Sequence, residues 1–120
     1  MVPYIDQEKL KPGTVNALFF HMMGSHGPAY AKRYPEKFNK WGPVCTNSDL
    51  RSCDPKSIRN AYDNSILYTD HVLSSMIDKL KAMKDADTAL IYMSDHGESL
   101  GEKGLFLHGA PYAIAPSEQT

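Results

Sequence analysis

Apolar residues along the chain follow two different spacings, and these predict two strands around one helix. Residues 14–21 are mostly β-branched, aromatic or aliphatic, which is typical of a buried strand. From Pro55 to about Lys84 apolar residues recur in steps of three and four, which predicts an amphipathic helix. A helix of that length would span ~45 Å, so we expect a kink or break in it. Residues 88–93 predict a second buried strand, and the chain is therefore expected to be α/β.

The segment between the first strand and the helix is rich in turn-forming residues. Residues 24–55 contain four prolines and three glycines, which predicts an irregular connection. At its end, Asp54 and Pro55 suit the N-cap and the first position of a helix.

Composition and charge restrict the function. The chain has 120 residues, enough for one domain, with 42% hydrophobic and 22% charged residues, which is ordinary for a globular protein. Its formal net charge of −1 argues against binding nucleic acid through a basic surface. No apolar run has the roughly 18 residues of a membrane helix, and residues 1–30 lack the pattern of a signal peptide.

The two cysteines, Cys45 and Cys53, lie eight positions apart in a polar stretch. A disulfide closing this loop would stabilise the fold by roughly 2–3 kcal/mol in the chain-entropy model, and it would indicate an oxidising compartment such as the periplasm. Two free thiols, as in a cytosolic protein, are the alternative.

Histidines follow both predicted strands. His26 comes after the first strand, and Asp95 and His96 come directly after the second. Two strands joined by a helical crossover are normally parallel, and their carboxyl ends then lie at the same sheet edge, where α/β proteins bind ligands. We therefore expect these residues to converge, although they are some 70 positions apart.

One carboxylate and several imidazoles at a sheet edge indicate a divalent metal site. Asp95 and His96 can share one ion only if the backbone turns after them, which Gly97 permits. His108 returns from the following glycine-rich loop, and this ligand set suits zinc. The alternative is an exposed polar turn without function.

Three other features favour structural roles. His21 is expected to be a core residue, and His71 a surface or packing residue of the helix. Residues 32–41 mix four cations with three aromatic residues and could meet an anionic headgroup. A loop anchored by its aromatic side chains is the simpler interpretation.

Five motifs together resemble the lipid A phosphoethanolamine transferases, the family of the mobile colistin-resistance enzymes within the alkaline phosphatase and sulfatase superfamily. The motifs are residues 24–28, 33–35, 62–64, 94–102 and 108–116. The resemblance implies a parallel-sheet α/β/α sandwich, incomplete at both ends, in which residues 1–120 form part of a sulfatase-like catalytic domain.

The resemblance also implies roles for individual residues. Asp95 and His96 would bind the catalytic zinc, and His26 and His108 would hold the substrate phosphate or a second zinc. Glu98 would have a supporting role. Cys45 and Cys53 match a periplasmic disulfide of the family.

The family reaction moves phosphoethanolamine from phosphatidylethanolamine to a lipid A phosphate through a threonine nucleophile, at the periplasmic face of the bacterial inner membrane. No threonine of this chain lies in the nucleophile context, and the family's N-terminal membrane domain has no counterpart here. We therefore expect an internal fragment that binds zinc weakly and is inactive alone. A transferase with another glycan or core-sugar acceptor, and an inactive remnant, are the alternatives.

Overall fold

The computed structural model describes residues 2–6, 9–115 and 117, and one long helix organises them. Helix α1 spans Pro55–Lys81. Strands β1 (Ser99–Leu100) and β2 (Phe106–Leu107) form a short antiparallel pair. Single turns of 3₁₀-helix lie at Val2–Tyr4, Tyr30–Lys32, Glu36–Phe38, Leu50–Ser52 and Glu102–Gly104.

Helix α1 begins as the sequence predicts. The Asp54 carboxylate accepts hydrogen bonds from the backbone N–H groups of Lys56 and Ser57 at 3.0 and 3.1 Å, which satisfies two donors that a helix start leaves free. The helix runs without a break for 27 residues, so the expected interruption does not occur. Among the residues that the structure describes, no helix is long and apolar enough to cross a membrane.

The core forms between α1 and the irregular segment before it. Ile58 and Ala61 of the helix are fully buried and pack in one cluster with Tyr30, Cys45 and Leu50. A disulfide joins Cys45 to Cys53 across a separation of eight residues. The bridge therefore closes the loop whose first cysteine lies in the core, and the free-thiol alternative is wrong.

The two predicted strands are not paired in this structure. Residues 14–21 and 88–93 take part in no strand ladder among the described residues, and apolar side chains such as Val15, Phe19 and Ile91 are exposed. A strand is stabilised only when a neighbour accepts and donates its backbone hydrogen bonds. The described part of the chain supplies no such neighbour, so the expected parallel pair is absent and the only sheet is antiparallel.

Candidate functional site

Three separate loops bring histidine side chains together. His26 lies before the 3₁₀ turn at Tyr30–Lys32, His96 lies before β1, and His108 follows β2 directly. The ring centroids of His96 and His108 are 3.9 Å apart, those of His26 and His108 are 4.9 Å apart, and those of His26 and His96 are 6.2 Å apart. The expected convergence is therefore present, although no parallel strands create it.

Each of the three imidazole rings has its Nδ1 atom next to an acceptor. His26 Nδ1 is 2.7 Å from the Gly27 carbonyl oxygen, and His96 Nδ1 is 2.8 Å from the Gly97 carbonyl oxygen. His108 Nδ1 is 2.9 Å from a carboxylate oxygen of Glu98. Because an ionised carboxylate and a carbonyl only accept hydrogen bonds, this arrangement assigns the proton to Nδ1 in all three rings. In the neutral rings Nε2 then has a free lone pair for a metal or a ligand.

Glu98 links two of these loops. Its side chain is only 6% exposed, and its two oxygens have different partners. Oε2 accepts a hydrogen bond from the Tyr30 hydroxyl at 2.7 Å, while Oε1 is 3.4 Å from the Gly27 backbone nitrogen, which donates to it. Oε1 also faces His108 Nδ1. A buried carboxylate needs several such donors, and two of them, Tyr30 and Gly27, lie about 70 positions away along the chain.

Tyr30 is the buried residue beneath this carboxylate. It is 1% exposed, and its ring meets the Tyr62 ring edge-on at a centroid distance of 5.5 Å. Burial raises the pKa of the Tyr30 phenol, and the adjacent Glu98 carboxylate raises it further. The phenol therefore stays protonated and donates its hydrogen bond throughout the physiological pH range.

The loop that carries His26 is tightly packed. A Cβ atom at Gly27 would collide with the Leu107 side chain and would lie 2.7 Å from the Tyr30 hydroxyl oxygen. Arg33 Nε donates a hydrogen bond of 2.7 Å to the His26 carbonyl oxygen. The side-chain oxygen of Ser25 is buried and has no hydrogen-bond partner among the described residues. Close packing and backbone hydrogen bonds thus determine where the His26 ring lies.

One group of side chains in the described part of the chain has the geometry of a metal site. His96, Glu98 and His108 each offer one ligand atom, and these atoms all lie within 4.8 Å of one another. Two imidazole nitrogens and one carboxylate oxygen are a common ligand set for zinc that leaves a coordination position open. The residues present therefore fit a divalent metal ion.

Asp95 lies at the edge of this group. Its side chain is 75% exposed, and its Oδ1 atom is 3.9 Å from His96 Nε2. A hydrogen bond from its own backbone N–H lowers the pKa of the carboxyl group, and the neighbouring His96 contributes in the same direction. The carboxylate is thus ionised and close to the His96 ring.

The remaining two histidines lie outside the cluster of three rings, although His21 is close enough to Asp95 to lower the pKa of its carboxyl group. His21 is exposed, so the expectation of a core position is wrong. His71 is also exposed, and its ring contacts Phe38 at a centroid distance of 4.9 Å. Phe38 also contacts Tyr68 of α1, so this aromatic side chain anchors the loop as the simpler interpretation of residues 32–41 has it.

Sequence reasoning missed the importance of Tyr30. Only its placement at the end of Gly27-Pro28-Ala29-Tyr30 marks it, and no periodicity predicts a contact with a residue 68 positions later. Its proximity to a histidine-bearing glycine turn was the only available signal.

Comparison with known proteins assigns the chain to a family. The sulfatase family model matches residues 1–120, and the chain is therefore a member of the sulfatase family. A curated relative, the phosphatidylethanolamine transferase Mcr-2 of Escherichia coli, is 52% identical over 103 residues, which cover 85% of this chain and 19% of the relative.

The solved structures that the chain resembles are also phosphoethanolamine transferases. The C-terminal periplasmic domain of the phosphoethanolamine transferase EptC from Campylobacter jejuni matches with a TM-score of 0.79 and 56% identity, covering 82% of this chain and 32% of that one. The integral membrane protein lipooligosaccharide phosphoethanolamine transferase A (EptA) from Neisseria meningitidis matches with a TM-score of 0.79 and 47% identity, covering 82% of this chain and 18% of that one. The chain thus spans about a fifth of the length of the full-length relatives it matches.

Proposed function

We propose that the chain is part of a zinc-dependent phosphoethanolamine transferase. The reaction moves phosphoethanolamine from phosphatidylethanolamine to a phosphate group of lipid A. The observation that carries this proposal is the cluster of His26, His96, Glu98 and His108, four side chains from three loops. The high identity to phosphoethanolamine transferases over most of the chain supports it.

The metal is proposed to be zinc, held by Asp95 and His96. A bound zinc ion would lower the pKa of an attacking alcohol and offset negative charge on the transferred phosphoryl group. The hydrogen bond from His96 Nδ1 to the Gly97 carbonyl supports this assignment, because it directs the Nε2 lone pair away from the backbone. Asp95, 3.9 Å from that nitrogen, would add the negative charge that a divalent cation requires.

His26 and His108 are proposed to hold the phosphate of the substrate or a second zinc ion. Their rings are 4.9 Å apart and nearly perpendicular, at 84°, so two nitrogen atoms can approach one ligand from different directions. Glu98 would support His108 through the contact with Nδ1. The threonine nucleophile of this reaction would lie in a part of the protein outside these 120 residues.

The proposed whole protein contains the parallel-sheet α/β/α sandwich of the alkaline phosphatase type. In this proposal residues 14–21 and 88–93 become strands once neighbouring segments pair with them, which would cover Val15, Phe19 and Ile91. The domain would lie at the periplasmic face of the bacterial inner membrane. The Cys45–Cys53 disulfide supports an oxidising compartment, and the periplasmic domain of EptC supports the same location.

The transfer reaction can be tested on the longest form of the protein that carries this chain. Labelled phosphatidylethanolamine and lipid A are supplied in detergent, and labelled lipid A is separated and counted. We expect transfer with the wild type and none with Asp95→Ala or His96→Ala. His71→Ala is the matched control, because His71 is exposed on α1, outside the cluster, and it should keep wild-type rates.

Two results would contradict the proposal in different ways. Label that appears only on a core sugar or another glycan would replace the acceptor and retain the transferase chemistry. Normal transfer by the Asp95 and His96 variants would remove both residues from the metal site.

A further inference from the structure

We infer that Tyr30 is a positioning residue for His108, acting through the carboxylate of Glu98. The inference rests on the proposed function only in taking the His108 ring to face the substrate or a metal. The three side chains form one chain of hydrogen bonds. The Tyr30 hydroxyl donates to Glu98 Oε2 at 2.7 Å, and Glu98 Oε1 lies 2.9 Å from His108 Nδ1.

The burial of the three side chains decreases along this series of hydrogen bonds, from Tyr30 to His108. Tyr30 is 1% exposed, and the Glu98 side chain is 6% exposed, whereas the His108 side chain is 31% exposed. A phenol donates one hydrogen bond, and an ionised carboxylate only accepts. With Oε2 engaged by Tyr30, the carboxylate plane is held so that Oε1 accepts the proton of His108 Nδ1. The exposed end of the series is then the His108 Nε2 atom, left without a proton.

The position of Tyr30 is itself constrained by packing. Its ring lies edge-on against Tyr62, in the same cluster as Ile58 and Ala61 of α1. The hydroxyl lies so close to Gly27 that no Cβ fits there without displacing it. Packing against helix α1 therefore fixes the Tyr30 hydroxyl, and Tyr30 in turn orients Glu98 and His108. No residue of α1 itself belongs to the cluster of histidines.

The consequence is a single tautomer of His108. A histidine with no fixed acceptor at Nδ1 interconverts between its two neutral tautomers, and only one of them offers Nε2 as a ligand atom. Ligand-orienting hydrogen bonds of this kind typically change metal affinity or activity by about 10- to 100-fold when removed. Tyr30 is expected to contribute this effect without touching substrate or metal.

The test measures the tautomer directly by NMR on the metal-free protein in its longest expressible form, with ¹⁵N-labelled histidine at pH 8. In the wild type the His108 proton should lie on Nδ1. In Tyr30→Phe, which keeps the buried ring and removes only the hydroxyl, the two ¹⁵N shifts of His108 should move towards their average. Tyr62→Phe is the matched control and should leave both shifts unchanged.

Several outcomes would overturn the inference. A wild-type His108 protonated on Nε2 would do so without any variant, as would unchanged His108 shifts in a folded Tyr30→Phe protein. If Tyr30→Phe does not fold, the same measurement is made on Glu98→Asp, which keeps the charge but shortens the side chain by one methylene. A mixture of tautomers is then expected, and a single unchanged tautomer would overturn the inference. Because no transfer is measured, failure here is distinguishable from failure of the proposed reaction.

Discussion

The carboxamide of Asn64 holds the backbone of Trp41 at both ends of the residue. Its oxygen accepts a hydrogen bond from the Trp41 N–H at 3.0 Å, and its nitrogen donates to the Trp41 carbonyl at 2.9 Å. The same oxygen accepts from the Lys40 N–H at 2.9 Å. Asn64 is fully buried on α1, so one helix side chain determines the path of the irregular segment beside it.

Replacement of Asn64 by Ala should destabilise the protein strongly. Two backbone N–H groups and the Trp41 carbonyl would lose their partner, and the fully buried Asn64 side chain would be replaced by a smaller one, which together cost about 2–4 kcal/mol in the free energy of unfolding. Urea denaturation checks this value. Asp63→Ala is the control at the neighbouring, exposed helix position, and it should change stability by less than about 0.5 kcal/mol. Equal effects of the two substitutions would mean that the Asn64 hydrogen bonds contribute nothing to stability.

Removal of the Cys45–Cys53 disulfide should lower the free energy of unfolding by a similar amount. The bridge joins residues eight positions apart, and closing so short a loop is worth roughly 2–3 kcal/mol in the chain-entropy model. The double variant Cys45→Ala/Cys53→Ala should therefore unfold at lower urea concentration than the oxidised wild type. Dithiothreitol should destabilise the wild type and leave the double variant unchanged. Sensitivity of the double variant to the reductant would argue against this explanation.

Stability should fall at alkaline pH because of Tyr30. Burial raises the pKa of this phenol in the folded protein, whereas in the unfolded chain it titrates near 10. The protonated Tyr30 phenol therefore contributes its full share to the free energy of unfolding below about pH 10. This contribution is lost as the pH rises further, at a limiting slope of ~1.4 kcal/mol per pH unit for one proton. Urea unfolding between pH 8 and 11 should show a steeper decline for the wild type than for Tyr30→Phe. Parallel curves would show that Tyr30 titrates alike in both states.

Zinc binding should depend on His96. Its Nε2 atom has a free lone pair, and it belongs to the group whose ligand atoms lie within 4.8 Å of one another. His96→Ala should weaken zinc binding by more than about 100-fold, since loss of a ligand should exceed the effect of losing a supporting residue. Competition with a chromogenic chelator measures the affinity. His71→Ala should bind zinc like the wild type, and an equal affinity for His96→Ala would exclude His96 as a ligand.

The helix was predictable because its determinants are local. Steps of three and four between apolar residues, the Asp54 cap and Pro55 at the first turn act within a few positions of one another. Its observed range, Pro55–Lys81, ends only three residues before the expected limit. The strand predictions used equally local patterns, but a strand needs a partner, and the described part of the chain offers none for residues 14–21 and 88–93.

The candidate site was predictable in its residue types more than in its geometry. Histidines placed after apolar segments and beside glycines indicated His26, His96 and His108. Glu98 was expected to have a supporting role, yet in the structure its carboxylate connects the loops. The reason is that hydrogen bonding to Tyr30 and Gly27 depends on the packing of distant segments.

The amino-acid sequence by itself determined the helix and its cap, and it indicated the cysteine pair and the residue types of the candidate metal site. These features follow from spacing along the chain and from the chemistry of individual side chains. Only the tertiary structure decided that Tyr30 lies beneath Glu98, that Asn64 holds Trp41, and that three histidines direct Nδ1 to fixed acceptors. The Tyr30–Glu98 and Asn64–Trp41 contacts join residues far apart in sequence, and they form only when folding buries Tyr30 and Asn64 away from competing water. His26 and His96 bond to the carbonyl of the next residue, and folding decides only that their rings meet.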